Sequence, residues 1–595
     1  MTQSPESNKK LTSGSRVAII GGGPAGSFSG FFLLDLAERL GLDLNVDIFE
    51  AQNFSKTGPA GCNHCGGIIS ESLVQLLSAE GITLSTDVVQ RGIDAYIMHT
   101  DDARIAIETP LHEKRIAAVY RGGGPLRAIN SGWESFDAFL LDMATRKGAQ
   151  LLNERVVELS SDSGMWTVST RKSIYNNYDL VVGAVGLNQA SLQLFESVSP
   201  TFKRPGTTKT YICEFDLGRE LVREYFGSSM HVFLLDFPRL KFAALVPKGE
   251  YVTLVILGSD VDKQFVHDFL KLPAVRGCFP VDSDLQDMFP CNCYPLINIH
   301  AARQPYADGL VLVGDSGVSK LYKNGIGAAY VTAKAAATTA VLHGISSSDF
   351  KQYYAKTCRN LNRDNNIGKL VFMATTIIQK SKMLKTGVLA VVGKERSRPG
   401  PKRYMSTVLW DTFTGSAPYT SILLRCAHPG FWGPLIWQTL RGVLPSNRER
   451  VKEQVDVKSN QLGKVFQDGE NIIQQGDDGD CLYVIQSGSV DVIHSREGKE
   501  IHLATLNAGD FFGEMALFER EYRSSTVRAL GEVRVITVDK RTLLTRIQDD
   551  PSLAFRILER MSGRIRDLNS YVTRMRETDR RDWDNRPEQF ENSES

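Results

Sequence analysis

At 595 residues the chain exceeds what one hydrophobic core supports, so about two to four domains are expected. Hydrophobic residues at 42% and charged residues at 23% are those of an ordinary globular protein, and 69 basic against 68 acidic side chains leave no electrostatic footprint for nucleic acid. No apolar stretch reaches the length of a spanning helix, so any membrane contact is peripheral. The opening "MTQSPESNKKLTSGS" lacks an apolar signal core, and the nine cysteines are an odd number, which together imply free thiols in a reducing cytoplasm.

Residues 1–14 are expected to be disordered. "SRVAIIGGGPAGSFSGFFLLDLAERLGLDLNVDIFEA" then reads as a buried strand (Val17 to Ile20), a glycine turn, an apolar helix over about 26–40 and a second strand ending at Glu50. Gly21-x-Gly23-x-x-Gly26 has an acidic residue 24 positions after its last glycine. Gly21 permits the tight turn, Gly23 lets the backbone approach a pyrophosphate with Pro24 and Ala25 completing the turn, Gly26 packs helix on strand, and Glu50 accepts both ribose hydroxyls. The helix N-terminus suits the anion. This pattern specifies a dinucleotide but does not separate NAD from FAD.

"TGPAGCNHCGGIISESLVQLL" (57–77) holds Cys62 and Cys65 around His64, "SGWESFDAFLLDMATRKGA" (131–149) reads as a helix, and "YDLVVGAVGLNQAS" (178–191) as a strand running to Gly186. "FAALVPKGEYVTLVILG" (242–258) is strand-like around Lys248. In "YADGLVLVGDSGVSKLYKNGIGAAYVTAKAAATTAVLHG" (306–344) a strand ends at Gly314-Asp315, and a turn bearing Gly325 and Gly327 leads into a long Ala/Thr-rich helix. Asp315 suits a polyol, while the turn offers N–H groups and a helix dipole to an electron-rich ring.

The segment 404–445 is rich in Trp, Phe, Tyr and Leu and poor in charge. Lining a tunnel, resting on a membrane surface and closing the preceding domain are open readings of it. Residues 446–460 are polar and read as a linker. From 461 the texture changes to short alternating strands with turns at Gly469, Gly476, Gly479, Gly488, Gly498 and Gly509, which argue a small β-barrel or jelly roll. Apolar residues at helical spacing follow over 551–577, and 577–595 is a charged tail expected to be disordered.

Over about residues 15–440 the chain resembles the FAD-binding, glutathione-reductase-type flavoproteins that include aromatic hydroxylases and geranylgeranyl reductases. The resemblance implies an α/β Rossmann-like FAD-binding domain over 15–350, with an α+β substrate domain inserted at about 85–130 and 190–295, and a helical C-terminal part over 351–445. It assigns FAD to Gly21, Gly23, Pro24, Ala25, Gly26, Glu50, Gly314, Asp315, Gly325 and Gly327. In that family Asp315 holds the ribityl chain and the helix after Gly327 faces the flavin pyrimidine. The arginine usual before the Phe-Asp helix is Trp133 here, and Arg127 is its candidate replacement.

The hydroxylases end the strand before Gly186 in Asp-Gly; Val185 stands there instead, which speaks against NADPH-driven hydroxylation. The cysteine segment and Pro247-Lys248-Gly249 resemble the reductase branch, with Val246 where an aromatic is usual. That branch implies reduction of an isolated alkene in a prenyl lipid, with a reduced donor such as NADPH or ferredoxin. Cys62, Cys65 and Lys248 are the catalytic candidates, since an unactivated alkene requires a placed proton and strict positioning. A redox disulfide, inert thiols, and a zinc half-site completed by Cys291 and Cys293 remain open for the cysteine pair, although no metal is expected.

"FGEMAL" through "RSSTV" (512–527) resembles the phosphate-binding cassette of cyclic-nucleotide-binding domains, here expected over 461–576 as a β-roll with terminal helices. The resemblance assigns the ribose 2′-hydroxyl to Glu514 and the cyclic phosphate to Arg523, with Gly513, Ala516, Ser524 and Ser525 adding hydrogen bonds. A guanidinium suits a phosphodiester anion through two parallel bonds. Tyr522 replaces a frequent proline and Ser525 a frequent alanine. The expectation is an FAD-dependent oxidoreductase regulated by a cyclic nucleotide, cAMP ahead of cGMP. A flavin monooxygenase or halogenase and a non-catalytic flavin sensor are the alternatives.

Overall fold

A computed structural model describes residues 9–441 and 461–573, apart from 110–112, 127–131, 282–284, 286–290, 398–402, 480, 497–498, 516–521 and scattered positions between 541 and 572. Arg127, Ala516 and the linker 446–460 therefore lie outside the described residues. The chain divides into two compact units, Met1–Val74 with Leu84–Leu462, and Gln75–Thr83 with Gly463–Ser595.

In the first unit, Gln150–Leu152, Asn45–Phe49, Arg16–Ile20, Leu180–Gly183 and Leu310–Leu312 form a parallel sheet in that order, with Tyr306–Ala307 antiparallel at one edge. Its Val/Ile/Leu runs are nearly all buried because both faces are covered, as parallel sheets require. Helices Pro24–Arg39, Phe136–Arg146 and Gly325–Thr338 pack together, with Phe28 and Phe32 edge-on to Tyr330. A meander, Val156–Asp162, Met165–Thr170 and Ile174–Tyr178, adds Trp166, Val168 and Tyr178 to a core shared with Val181 and Leu310. Strand 16–20 pairs with 45–49 on one side and 180–183 on the other. The crevice beyond its carboxyl end is thus a topological switch point, occupied by the glycine turn.

A second, eight-stranded sheet runs Arg104–Glu108, Ala95–His99, Ser229–Phe233, Leu240–Lys248, Tyr251–Gly258 and Gly206–Asp216, with Cys291–Cys293 and Leu296–His300 both paired to the last. Period-2 alternation sorts its two faces. Phe242, Ala244 and Val246 join Trp410, Phe413 and Tyr419 from the helices of 355–441, whereas Ala243 and Leu245 join Phe215, Phe226, Phe269 and Phe279.

The second unit is a six-stranded sheet of Lys464–Phe466, Asn471–Ile473, Cys481–Arg496, Lys499–Asn507, Phe511–Phe512 and Thr526–Asp539, antiparallel at every pairing. Ile485, Val490, Phe512, Val533 and Val535 fill its core, and residues 561–566 are helical.

Local boundaries differ from the sequence reading where caps decide them. The first helix starts at Pro24 rather than Gly26, because proline is pre-set for the first helical position. The strand expected to reach Glu50 stops at Phe49. The Ala/Thr-rich helix is α only to Thr338 and closes in a π turn over Thr339–His343. Segment 404–445 forms three helices, Tyr404–Thr414, Tyr419–Cys426 and Pro429–Arg441. Among the described residues no helix is long and apolar enough to cross a membrane.

Candidate active site and nucleotide pocket

The glycine turn is built by backbone alone. Gly21 N donates to Phe49 O across 2.9 Å, and Gly21 has φ +104°, a conformation L side chains avoid. A Cβ on Gly26 would overlap the Gly21 carbonyl oxygen, so helix and turn close only on glycine. The N-cap of the helix is Gly23, which has no side chain to cap it, and this leaves first-turn amides for an anion. Glu50 lies beside the turn, its Oε2 accepting from Gly22 N at 2.8 Å and its Oε1 from Gln52 N at 2.7 Å. Burial pushes its pKa up, while those amides pull the other way. Each oxygen keeps a lone pair for a ribose hydroxyl.

The second nucleotide stretch meets the first. A Cβ on Gly314 would stand 2.8 Å from the Ala25 Cβ, so the Gly314-Asp315 turn abuts the start of the first helix. Gly314 N donates to Thr332 Oγ1 at 2.9 Å and the Asp315 carbonyl accepts from Asn298 Nδ2 at 3.1 Å. Gly325 is adjacent, since its Cβ would lie 3.6 Å from Asp315 Oδ1. Gly327 N, expected to face a ring, donates to its own N-cap Asn324 Oδ1 at 3.1 Å.

The cysteine loop bridges this turn and the second sheet. Asn63 Nδ2 would lie 3.3 Å from a Cβ on Gly23, and it donates to Asp137, whose buried carboxylate is also bound by Arg121. Gly66 packs on Val255, and a Cβ on Gly67 would stand 2.9 Å from Lys248 Nζ. Lys248 is 1% exposed, 3.8 Å from Glu214 Oε1 and 4.9 Å from the centroid of Tyr120. Burial raises the Glu214 pKa, which Lys248 and a 2.7 Å bond from Thr253 Oγ1 oppose.

Burial likewise raises the Cys62 thiol above its ordinary range. The His64 amide, donating at 3.2 Å, opposes this first, Glu214 adds to the rise, and Lys248 and Arg121 lower it. Cys62 is therefore a protonated thiol at neutral pH, close to a lysine and an arginine that would stabilise its anion. Cys65 Sγ accepts from Gly67 N at 3.5 Å and contacts Arg121. Cys62, Cys65, Cys291 and Cys293 feel one another electrostatically, but among the described residues they bring no three ligand atoms within 4.8 Å.

Trp133, where arginine is usual, stacks on Tyr120 at 5.2 Å and brings no charge. Arg121 and Asp137, joined across 16 residues, and Glu214 had no local sequence signal; the convergence of Gly-bearing loops around them is what reveals them.

In the second unit Glu514 is 8% and Arg523 6% exposed. Arg523 Nη1 donates to Gly513 O and Nη2 to Cys481 O, both at 2.8 Å, with the guanidinium 5.9 Å from the Tyr483 ring centroid. Its backbone is fixed by bonds between Arg523 N and Asp477 O and between Gly476 N and Arg523 O. Glu514 Oε1 accepts from Arg564 Nη1 at 2.9 Å, a partner no spacing in the sequence indicated. Ser524 Oγ lies 3.7 Å from Met515 Sδ, Ser525 is adjacent in the same loop, and Tyr522 is exposed.

Several known proteins are similar to parts of this chain. A CRP-like cAMP-activated global transcriptional regulator of Mycobacterium tuberculosis is 30% identical over 115 residues, 19% of this chain and 51% of that protein. The cAMP-activated global transcriptional regulator CRP of Salmonella typhimurium is 40% identical over 96 residues, 16% and 46% respectively. The chain thus spans about half the length of these curated relatives. Among solved structures, a geranylgeranyl bacteriochlorophyll reductase-like protein of Thermoplasma acidophilum aligns with TM-score 0.49 at 14% identity, over 72% of this chain and 100% of that one. A variant of Klebsiella pneumoniae HpxO with one substitution, solved with FAD, aligns with TM-score 0.43 at 15% identity, over 72% and 100%. Residues 463–550 match the family model of the cyclic nucleotide-binding domain, so the chain carries that domain in its C-terminal part.

Proposed function

We propose that the first unit is an FAD-dependent oxidoreductase reducing double bonds of a prenyl lipid, and that the C-terminal domain binds a cyclic nucleotide, cAMP ahead of cGMP, that regulates it. The observation that carries the reading is the convergence of four stretches: the glycine turn, Glu50, the Gly314-Asp315 turn, and the cysteine loop laid from Gly23 to Lys248. The residues suit FAD, because uncapped amides, a half-buried carboxylate with free lone pairs and an aspartate at a strand end match pyrophosphate, ribose and ribityl in turn.

FAD held there in its reduced form would supply the hydride for one alkene carbon. Cys62 Sγ would give its proton to the other carbon as the hydride is delivered, and the thiolate left behind would be stabilised by Lys248 and Arg121 until solvent reprotonates it. Glu214 keeps Lys248 in place. Electrons reach the site from a reduced donor such as NADPH or ferredoxin. In the C-terminal domain Arg523 holds the cyclic phosphate and Glu514 the ribose, aided by Gly513, Ala516, Ser524 and Ser525.

Helix Pro429–Arg441 buries Phe431 and Leu435 but exposes Trp432, Ile436, Trp437 and Leu440, which supports a face that rests on a membrane surface near a lipid substrate. The direct test of cofactor binding is the absorption spectrum of the purified chain: about one flavin per polypeptide is expected, and much less in Glu50→Ala. Colourless wild-type protein that takes up no added FAD would overturn the reading.

A further inference from the structure

The second sheet, which also carries Lys248, buries three potential metal ligands, on side chains not used above, with their donor atoms turned on one another. His99 closes strand Ala95–His99, and His231 lies on its parallel neighbour Ser229–Phe233. Cys278 follows the short helix Pro273–Arg276. His99 Nε2 is 3.2 Å from His231 Nδ1, His231 Nδ1 is 3.2 Å from Cys278 Sγ, and Cys278 Sγ is 3.8 Å from His99 Nε2. All three residues are at least 96% buried, with exposures of 4%, 2% and 2%. Among the described residues this is the one place where three such ligand atoms converge within 4.8 Å.

The surroundings are apolar. His99 stacks on Phe233 at 4.8 Å, His231 lies tilted against Phe226 at 4.8 Å, and Phe269 and Phe279 belong to the same core. His231 Nε2 is buried without a partner, so the cluster is the one polar outlet of that ring. Burying two imidazoles and a thiol together costs free energy that apolar side chains of similar volume would avoid, unless something binds them.

The triangle has the dimensions of a tetrahedral zinc site. Zn–N bonds of about 2.05 Å and a Zn–S bond of about 2.3 Å at tetrahedral angles set N···N at about 3.4 Å and N···S at about 3.6 Å. The observed separations reach those values with shifts of a few tenths of an ångström. Two neutral imidazoles and one thiolate are a ligand set zinc prefers, and the thiolate offsets half the ion's charge in a pocket that also feels Arg104.

We propose that His99 Nε2, His231 Nδ1 and Cys278 Sγ bind one zinc ion. On binding, the Cys278 S–H bond breaks as the Zn–S bond forms, and the proton leaves to solvent; in the ion-free state that thiol points at Ala274 O, 3.4 Å away. With three protein ligands, the fourth position is left to water. The ion would pin the end of the strand pair 95–99 and 229–233 to the segment after residue 276.

Metal analysis of the untagged full-length protein, grown with added zinc and dialysed, tests this. About one zinc per chain is expected, falling at least tenfold in Cys278→Ser and in His99→Gln. Exchange of the wild-type chain into Co2+ should give an intense thiolate-to-cobalt band in the near ultraviolet that Cys278→Ser lacks. Wild-type protein with less than a tenth of an equivalent of zinc and no cobalt band would overturn the proposal, whether or not the variants fold. Zinc retained in full by a folded Cys278→Ser variant would overturn it equally.

Discussion

Arg564 Nη1 donates to Glu514 Oε1 across 2.9 Å, and the same guanidinium also binds the Phe511 carbonyl and lies 4.9 Å from the Phe511 ring centroid. The carboxylate proposed to bind a ribose hydroxyl therefore already has a cationic partner. A partly exposed ion pair of this kind is worth about 1 kcal/mol. Arg564→Ala should tighten cAMP binding about fivefold, because the ribose no longer competes, and should lower the melting temperature of the unliganded protein. Titration calorimetry reads the first effect, and equal or weaker binding by the variant would contradict the competition.

Arg523 differs from Arg564 in being wedged into the sheet by two backbone carbonyls. A charged hydrogen bond to phosphate contributes about 1.5–3 kcal/mol, so losing the guanidinium should weaken cAMP at least tenfold. Arg523→Ala is the measured variant, by calorimetry against both cAMP and cGMP. No heat for either nucleotide on the wild-type chain would leave the β-unit a structural domain.

The Cys62 thiol is raised by burial, so its acid form persists past the ordinary thiol range. A thiol pKa raised in the folded state means the proton-donating form is complete at neutral pH and declines as pH rises through the folded value. Turnover should therefore hold across neutrality and fall only in the alkaline limb. Cys62→Ser should lower it by about 10²–10⁴, the usual worth of a placed acid. At pH 7.5 the folded wild type should alkylate slowly at Cys62; rapid labelling there would sink the buried-acid account.

Trp432 and Trp437 stand 50% and 54% exposed on one helix. Replacing both by Ser should reduce flotation with liposomes severalfold while leaving flavin content unchanged. Undiminished flotation would remove this face from any membrane contact.

What was legible in the sequence is what backbone geometry dictates. Gly21, Gly26 and Glu50 lie on one strand–turn–helix–strand unit, where local sterics allow few residues, and spacing alone predicts their juxtaposition. Lys248 and Glu214 instead sit on strands separated by Tyr251–Gly258, so their meeting depends on a cross-strand register written over the whole sheet. The same holds for Arg564 and Glu514, 50 residues apart, and for Arg121 and Asp137, 16 residues apart. The start of the first helix moved because Pro24 is pre-set for the first helical position, a choice made by φ rather than by hydrophobic period.

The central claim joins a flavin reductase to a cyclic-nucleotide switch. Its most direct test is anaerobic reduction of the purified flavoprotein, followed by reoxidation with a panel of prenyl lipids with and without cAMP. The account predicts oxidation of the flavin with saturation of a prenyl double bond, at a rate that cAMP changes about 5–150-fold, the usual span of a coupling free energy. A reduced flavin that no prenyl lipid reoxidises, or that reoxidises at one rate regardless of cAMP, would contradict it.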